Sequence, residues 1–183
     1  MALDNEQPTE RALSFARLPD RLDGWRVLAL GAGDAGKSYL TGIGAGDFVA
    51  LVVPSEADGM EPASFDLVIC SSELSVDLHP LALYAWLRKV AKPEGVLIAG
   101  SVVLTDPALS QYARFLPSHS GADDGRWIPG RLAFRWMVEV SGFGGVAWLD
   151  DGKGATGDEY AYLQARSADR TPALDLDRQP LGV

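Results

Sequence analysis

Six residues that could do chemistry sit within the eight-residue run GAGDAGKS: Gly31, Gly33, Asp34, Gly36, Lys37 and Ser38. The run satisfies two patterns at once. Gly31, Gly33 and Gly36 give G-x-G-x-x-G, whose glycines allow a tight turn and a close backbone approach to a nucleotide. Gly31, Gly36, Lys37 and Ser38 give G-x-x-x-x-G-K-S, in which backbone N–H groups cradle phosphates, the lysine meets the outer phosphates and the serine holds Mg2+. The second pattern also needs a metal-holding aspartate at a nearby strand end. Asp150, after the apolar run 146–149, and Glu73, after the run 65–70, are the two candidates. Either string is also compatible with an ordinary glycine turn whose lysine and serine lie on an exposed first helical turn.

A second group is Ser71, Ser72 and Glu73, directly after FDLVIC. In an open α/β sheet, ligand-facing residues stand at the carboxyl ends of strands. The same residue types also serve turns and helix caps. His79 precedes Pro80 at an expected helix start, and His119 lies in the loop PSHSGADDGR with Asp123 and Asp124. A loop histidine can act as a general base, but no partner is evident. Trp127 and Trp136 could line a pocket or simply fill the core. No His/Cys/Asp/Glu set has the spacing of metal ligands.

The elements that position these groups follow from hydrophobic periodicity. Residues 27–30 read as a strand, 31–36 as the glycine turn and 37–43 as its helix. The runs 48–53 (FVALVV) and 65–70 read as strands buried on both faces. A helix is expected over 81–91, a turn at Pro93, Glu94 and Gly95, a strand over 96–99 and a helix over 132–140. Residues 146–149 and 160–165 form a late hairpin around a Gly/Asp-rich loop. An amphipathic helix over 10–22 precedes everything. This alternation predicts an α/β doubly wound, mostly parallel sheet with a C-terminal antiparallel hairpin. Residues 1–9 are expected to be a flexible N-terminus, 10–166 the domain and 167–183 a flexible tail.

Composition limits the partners. The net charge is −9, and no Lys/Arg cluster is present. Nucleic-acid binders normally carry a basic patch, so nucleic acid and anionic membrane are not expected partners. No apolar run reaches the ~20 residues of a membrane helix. The opening MALDNEQPTERAL is too polar for a signal peptide, and Cys70 is the only cysteine. Both features suit a cytoplasmic protein.

The order of motifs resembles a known family. SFDLVICSSEL, then HPLALYAWLRKVAKPEGVLIAGSVVL, then RWIPGRLAFRWMVEVSGF are similar to the second half of class I S-adenosylmethionine (SAM) methyltransferases. LPDRLDGWRVLALGAGDAG resembles the family's lead-in and first motif. Trp127, Pro129, Met137, Gly142 and Phe143 are closest to the wobble-uridine tRNA methyltransferase branch. The resemblance spans about residues 10–166 and implies a Rossmann-like methyltransferase fold.

Departures from that pattern matter for function. The family usually carries an acid two positions before the first glycine; this chain has Ala29. The next strand usually ends in an acid that takes both ribose hydroxyls; this chain has Val53 there. An ionised carboxylate is acceptor-only and suits a diol, whereas valine offers no acceptor. The family then adds a helix and a strand, which need ~25 residues. Only eleven residues separate Val53 from Phe65. One βα unit is therefore expected to be missing. The resemblance then implies a degenerate methyltransferase-like protein, impaired in SAM binding, that works as a binding or partner subunit in a homo-oligomer or a complex. A SAM-dependent small-molecule methyltransferase, and a nucleotide or phosphate binder using GAGDAGKS, are the alternatives.

Overall fold

Short apolar runs punctuated by glycine and proline become strands here, and the amphipathic stretches between them become helices. The computed structural model describes residues 8–31, 33–51, 60–70, 79–116, 126–153 and 159–168. In chain order the first elements are α1 (Pro8–Phe15), β1 (Arg26–Leu30), α2 (Gly33–Gly42), β2 (Asp47–Leu51) and β3 (Phe65–Cys70). Next come α3 (Pro80–Val90), β4 (Ala91–Val102), β5 (Ala113–Leu116) and β6 (Arg126–Pro129). The chain continues through α4 (Arg131–Val140), β7 (Phe143–Lys153) and β8 (Glu159–Ser167). α3 shows why its segment is helical: Pro80 opens it, and Arg88 and Lys89 close it where cations favour the helix dipole.

Six strands form one sheet in the order β2-β1-β3-β4-β8-β7. β1 pairs in parallel with both β2 and β3, and β3 in parallel with β4. β8 runs antiparallel to both β4 and β7. The sheet is therefore mostly parallel and Rossmann-like, with the late antiparallel hairpin as expected. The topology also agrees with the loss of one βα unit, because β2 pairs with β1 alone among the described residues.

Alternating side chains build two apolar layers. Leu28, Leu30, Val68, Cys70 and Leu97 face α3 and α4, meeting Leu87 and Phe134. Val27, Ala29, Leu67, Ile69 and Ile98 face the other way, meeting Leu13 and Leu40. Continuous apolar strands are thus explained by burial on both faces.

Several expectations need correction. The run from 48 is not buried on both faces: Phe48 and Val49 are half-buried and Ala50 is exposed. An edge strand has a neighbour on one side only, so its apolar residues find less cover; residues 52 and 53 lie outside the described residues. α1 begins at Pro8 and ends at Phe15 rather than spanning 10–22. Leu22 instead sits in a connecting segment, fully buried, with its N–H bonded to the Ile43 carbonyl at 2.8 Å. The turn at Pro93, Glu94 and Gly95 is a bulge inside β4, marked by a register shift and by Glu94 at φ 62°. Ser167 ends β8 and is buried rather than opening a tail. Arg88 fastens this end by donating to the Ala168 carbonyl at 2.7 Å and the Gly142 carbonyl at 3.2 Å. The two-stranded β5–β6 sheet was not foreseen.

No helix among the described residues is long and apolar enough to cross a membrane.

Candidate functional site

The carboxyl ends of β1, β2, β3 and β4 share one edge of the sheet, the usual place for a ligand in an open α/β fold. Gly31 leaves β1 there. Its N–H bonds to the Leu51 carbonyl at 3.1 Å, extending the β1–β2 ladder by one step. Its φ of 64° is left-handed, which glycine adopts without strain. The chain can then reverse at once into α2.

α2 starts at Gly33, four residues earlier than expected. Gly33, Asp34 and Gly36 are therefore helical, and Gly36 is buried. A glycine at this third position lets a helix lie close to its strand. The early start bears on the two glycine patterns. A phosphate loop needs several non-helical residues to wrap its N–H groups around an anion. Only residues 31 and 32 remain between β1 and α2. Lys37 is exposed on α2, with its ammonium 5.8 Å from the Phe48 ring centre, beside the β2 edge. Ser38 is also exposed and has a partner within the chain. Asp150 lies on β7, four strands from β1, or about 19 Å at ~4.8 Å per strand. It cannot share a metal with Ser38. The strand–turn–helix order of the nucleotide fingerprint is present, with α2 starting earlier than a phosphate loop would have it.

Ala29 occupies the position where the resemblance expects an acid. It is 1% exposed and packed in the apolar layer that also contains Leu40 and Ile69. Beyond it, Ser71, Ser72, Glu73, His119, Asp123 and Asp124 lie outside the described residues, as does Val53. His79 stands exposed at the start of α3 and makes no side-chain cap. Trp136 is 46% exposed on α4, so it is not a core residue. Among the described residues, no group of three His, Cys, Asp or Glu could hold a metal.

Two features at this edge were not legible beforehand. The β5–β6 hairpin is rooted beside the end of β4, where the Leu104 N–H bonds to the Pro129 carbonyl at 2.9 Å. It brings Phe115 and Trp127 together with ring centres 5.2 Å apart. Trp127 is thus half-buried on a hairpin strand just ahead of α4. The second feature is Tyr84 on α3, in the same apolar layer as Cys70, the last residue of β3. The tyrosine is buried, and its hydroxyl has no hydrogen-bond partner. Burial, and then the neighbouring Cys70 thiol, push its phenol well above the usual range.

No family model and no curated sequence matches this chain. Solved structures do. A methyltransferase from Haloferax volcanii, solved in complex with the Trm112 methyltransferase activator, superposes with a TM-score of 0.61 at 13% identity, over 88% of this chain and 89% of that one. The 1,6-didemethyltoxoflavin-N1-methyltransferase of Burkholderia thailandensis, solved with bound 1,6-didemethyltoxoflavin and S-adenosylhomocysteine, gives 0.57 at 17% identity, over 80% and 72%. CurJ carbon methyltransferase gives 0.54 at 16% identity over 84% of this chain, which spans only 50% of that one. The chain has the class I SAM-dependent methyltransferase fold. At these identities the likeness concerns the fold alone.

Proposed function

We propose that this methyltransferase-fold protein has a reduced SAM site and serves as the binding partner in a protein assembly. The observation that supports it most is that β2 pairs with β1 alone among the described residues. By the resemblance the ribose carboxylate belongs at the end of this strand, and the sequence VALVV offers no acid there. Ala29 removes a second acid, and its place in the apolar layer leaves no polar group there. These residues do not fit SAM as the resemblance requires. Each lost hydrogen bond to a charged group weakens binding by ~1.5–3 kcal/mol, roughly ten- to a hundredfold. The Haloferax volcanii structure is a complex with a protein activator, so the fold is compatible with a protein partner.

Calorimetry with SAM tests the reading. The purified chain is expected to give no saturable heat at micromolar SAM. Micromolar binding by the chain alone would overturn it.

A second reading draws on the intact turn at Gly31. Backbone N–H groups at the start of α2 could still hold SAM, and the chain would then methylate a small molecule. Conversion of SAM to S-adenosylhomocysteine, dependent on an added acceptor, would favour this reading.

A further inference from the structure

We propose that the edge of β2 left unpaired among the described residues is the docking surface for that partner, and that the occupant is an extended protein segment carrying a carboxylate beside Lys37. This names the partner class and rests on the partner reading above.

Backbone direction identifies which groups are on offer. The Leu51 carbonyl accepts from the Gly31 N–H, and Leu51 is in register with Leu30. In a strand, the N–H and C=O of alternate residues point to opposite sides. Asp47, Val49 and Leu51 therefore turn their backbone groups to β1, while Phe48 and Ala50 turn theirs outward. Such a pair of residues offers an added strand two donors and two acceptors, the basis of strand addition.

The edge is suited to pairing in other ways. Ala50 is exposed, as a residue on an unpaired edge would be. Phe48 and Val49 are only half-buried and would gain cover from a new neighbour. Natural edges are commonly blunted by prolines, bulges or inward charges; from Phe48 to Leu51 this one has none. Asp47 lies at the far end of the strand, neutralised by Arg26 at 2.7 Å.

Charge argues for the occupant. Lys37 lies over Phe48 and makes no ion pair among the described residues. An incoming strand with a carboxylate on that face would supply one. A second copy of this chain would not. Antiparallel pairing centred on Val49 would set Phe48 against Ala50 of the other copy and bring the two Lys37 ammoniums together. Repulsion therefore opposes the symmetric dimer, and a different protein fits better.

The probe is a short synthetic peptide alternating valine with threonine and carrying one central glutamate. Its binding to the full-length chain is followed by fluorescence anisotropy, next to a counterpart with lysine in place of the glutamate. The acidic peptide is expected to bind saturably and the lysine peptide two- to fivefold more weakly, as for an exposed ion pair of up to ~1 kcal/mol. Lys37→Gln should erase that difference. Ala50→Pro removes an outward N–H that β1 does not use and should lower affinity at least about tenfold. Ala50→Lys serves as a second edge block, and circular dichroism checks that both variants fold. Absence of saturable binding, or binding to both Ala50 variants as tight as to the parent chain, overturns the proposal. A dimer of the parent chain by light scattering that Ala50→Lys dissolves also overturns it, in favour of a second copy. SAM binding found by calorimetry would instead remove the partner reading, whatever the peptide does.

Discussion

The ring of Tyr162 on β8 lies directly on the bare backbone of Gly100 on β4. A Cβ at Gly100 would stand 2.7 Å from Tyr162 Cζ and 2.8 Å from its Cδ1. The two residues are register partners in the β4–β8 ladder, and both are buried. Glycine is thus required by the ring, since any side chain would push it out of the packed layer. Gly100→Ala is expected to destabilise the fold by about 1–3 kcal/mol through overpacking. Urea denaturation would read this as a lower midpoint at an unchanged slope.

Gly31 is constrained by its backbone rather than by its neighbours. Its left-handed φ and its bond to Leu51 hold the turn between β1 and α2. Gly31→Ala should cost about 1–2 kcal/mol, the penalty of a left-handed conformation for an L-residue. Thermal unfolding checks the magnitude. An unchanged midpoint would mean that the turn is not held in this conformation.

Gln164 fastens the segment after α1 to the sheet. Its Oε1 accepts from the Arg17 N–H at 2.8 Å, and its Nε2 donates to the Arg17 carbonyl at 3.3 Å. The side chain thereby imitates a strand neighbour. Gln164→Leu would leave both Arg17 groups unpaired at a partly buried site, costing about 1–3 kcal/mol. Hydrogen exchange should accelerate across residues 12–22 before it changes in β4.

Tyr84 makes stability depend on alkaline pH. An unfolded phenol loses its proton near pH 10. The buried phenol keeps its proton to a higher pH, because burial, and then Cys70, disfavour the anion. Above about pH 10 the unfolded state binds fewer protons than the folded one. The contribution is therefore whole below pH 10 and is lost as pH rises toward the folded value, at up to about 1.4 kcal/mol per pH unit. Tyr84→Phe should remove this part of the alkaline decline. It should cost little at pH 7, because the hydroxyl has no partner to lose.

The residues themselves specified much of the architecture. β3 spans 65–70 as its unbroken FDLVIC run implied, and β1 and α3 are displaced by only a residue from the periodicity. Residue spacing also implied the missing βα unit, since eleven residues cannot hold a helix, a strand and their loops. These readings succeed because alternation, helical period and chain length are local or arithmetic properties.

Tertiary structure decided the rest. FVALVV looked like a central strand, but burial depends on how many neighbours a strand has, and β2 has one among the described residues. The glycine motif left two ligand geometries open; the start of α2 at Gly33 leaves only residues 31 and 32 between strand and helix, which favours the nucleotide fingerprint over the phosphate loop. Asp150 looked like a metal partner for Ser38 until the strand order put it four strands away. Gln164 reaches Arg17 across 147 residues of chain, and Tyr162 requires Gly100 across β4 and β8. Such contacts arise from the global arrangement of strands, which no local pattern of residue types encodes.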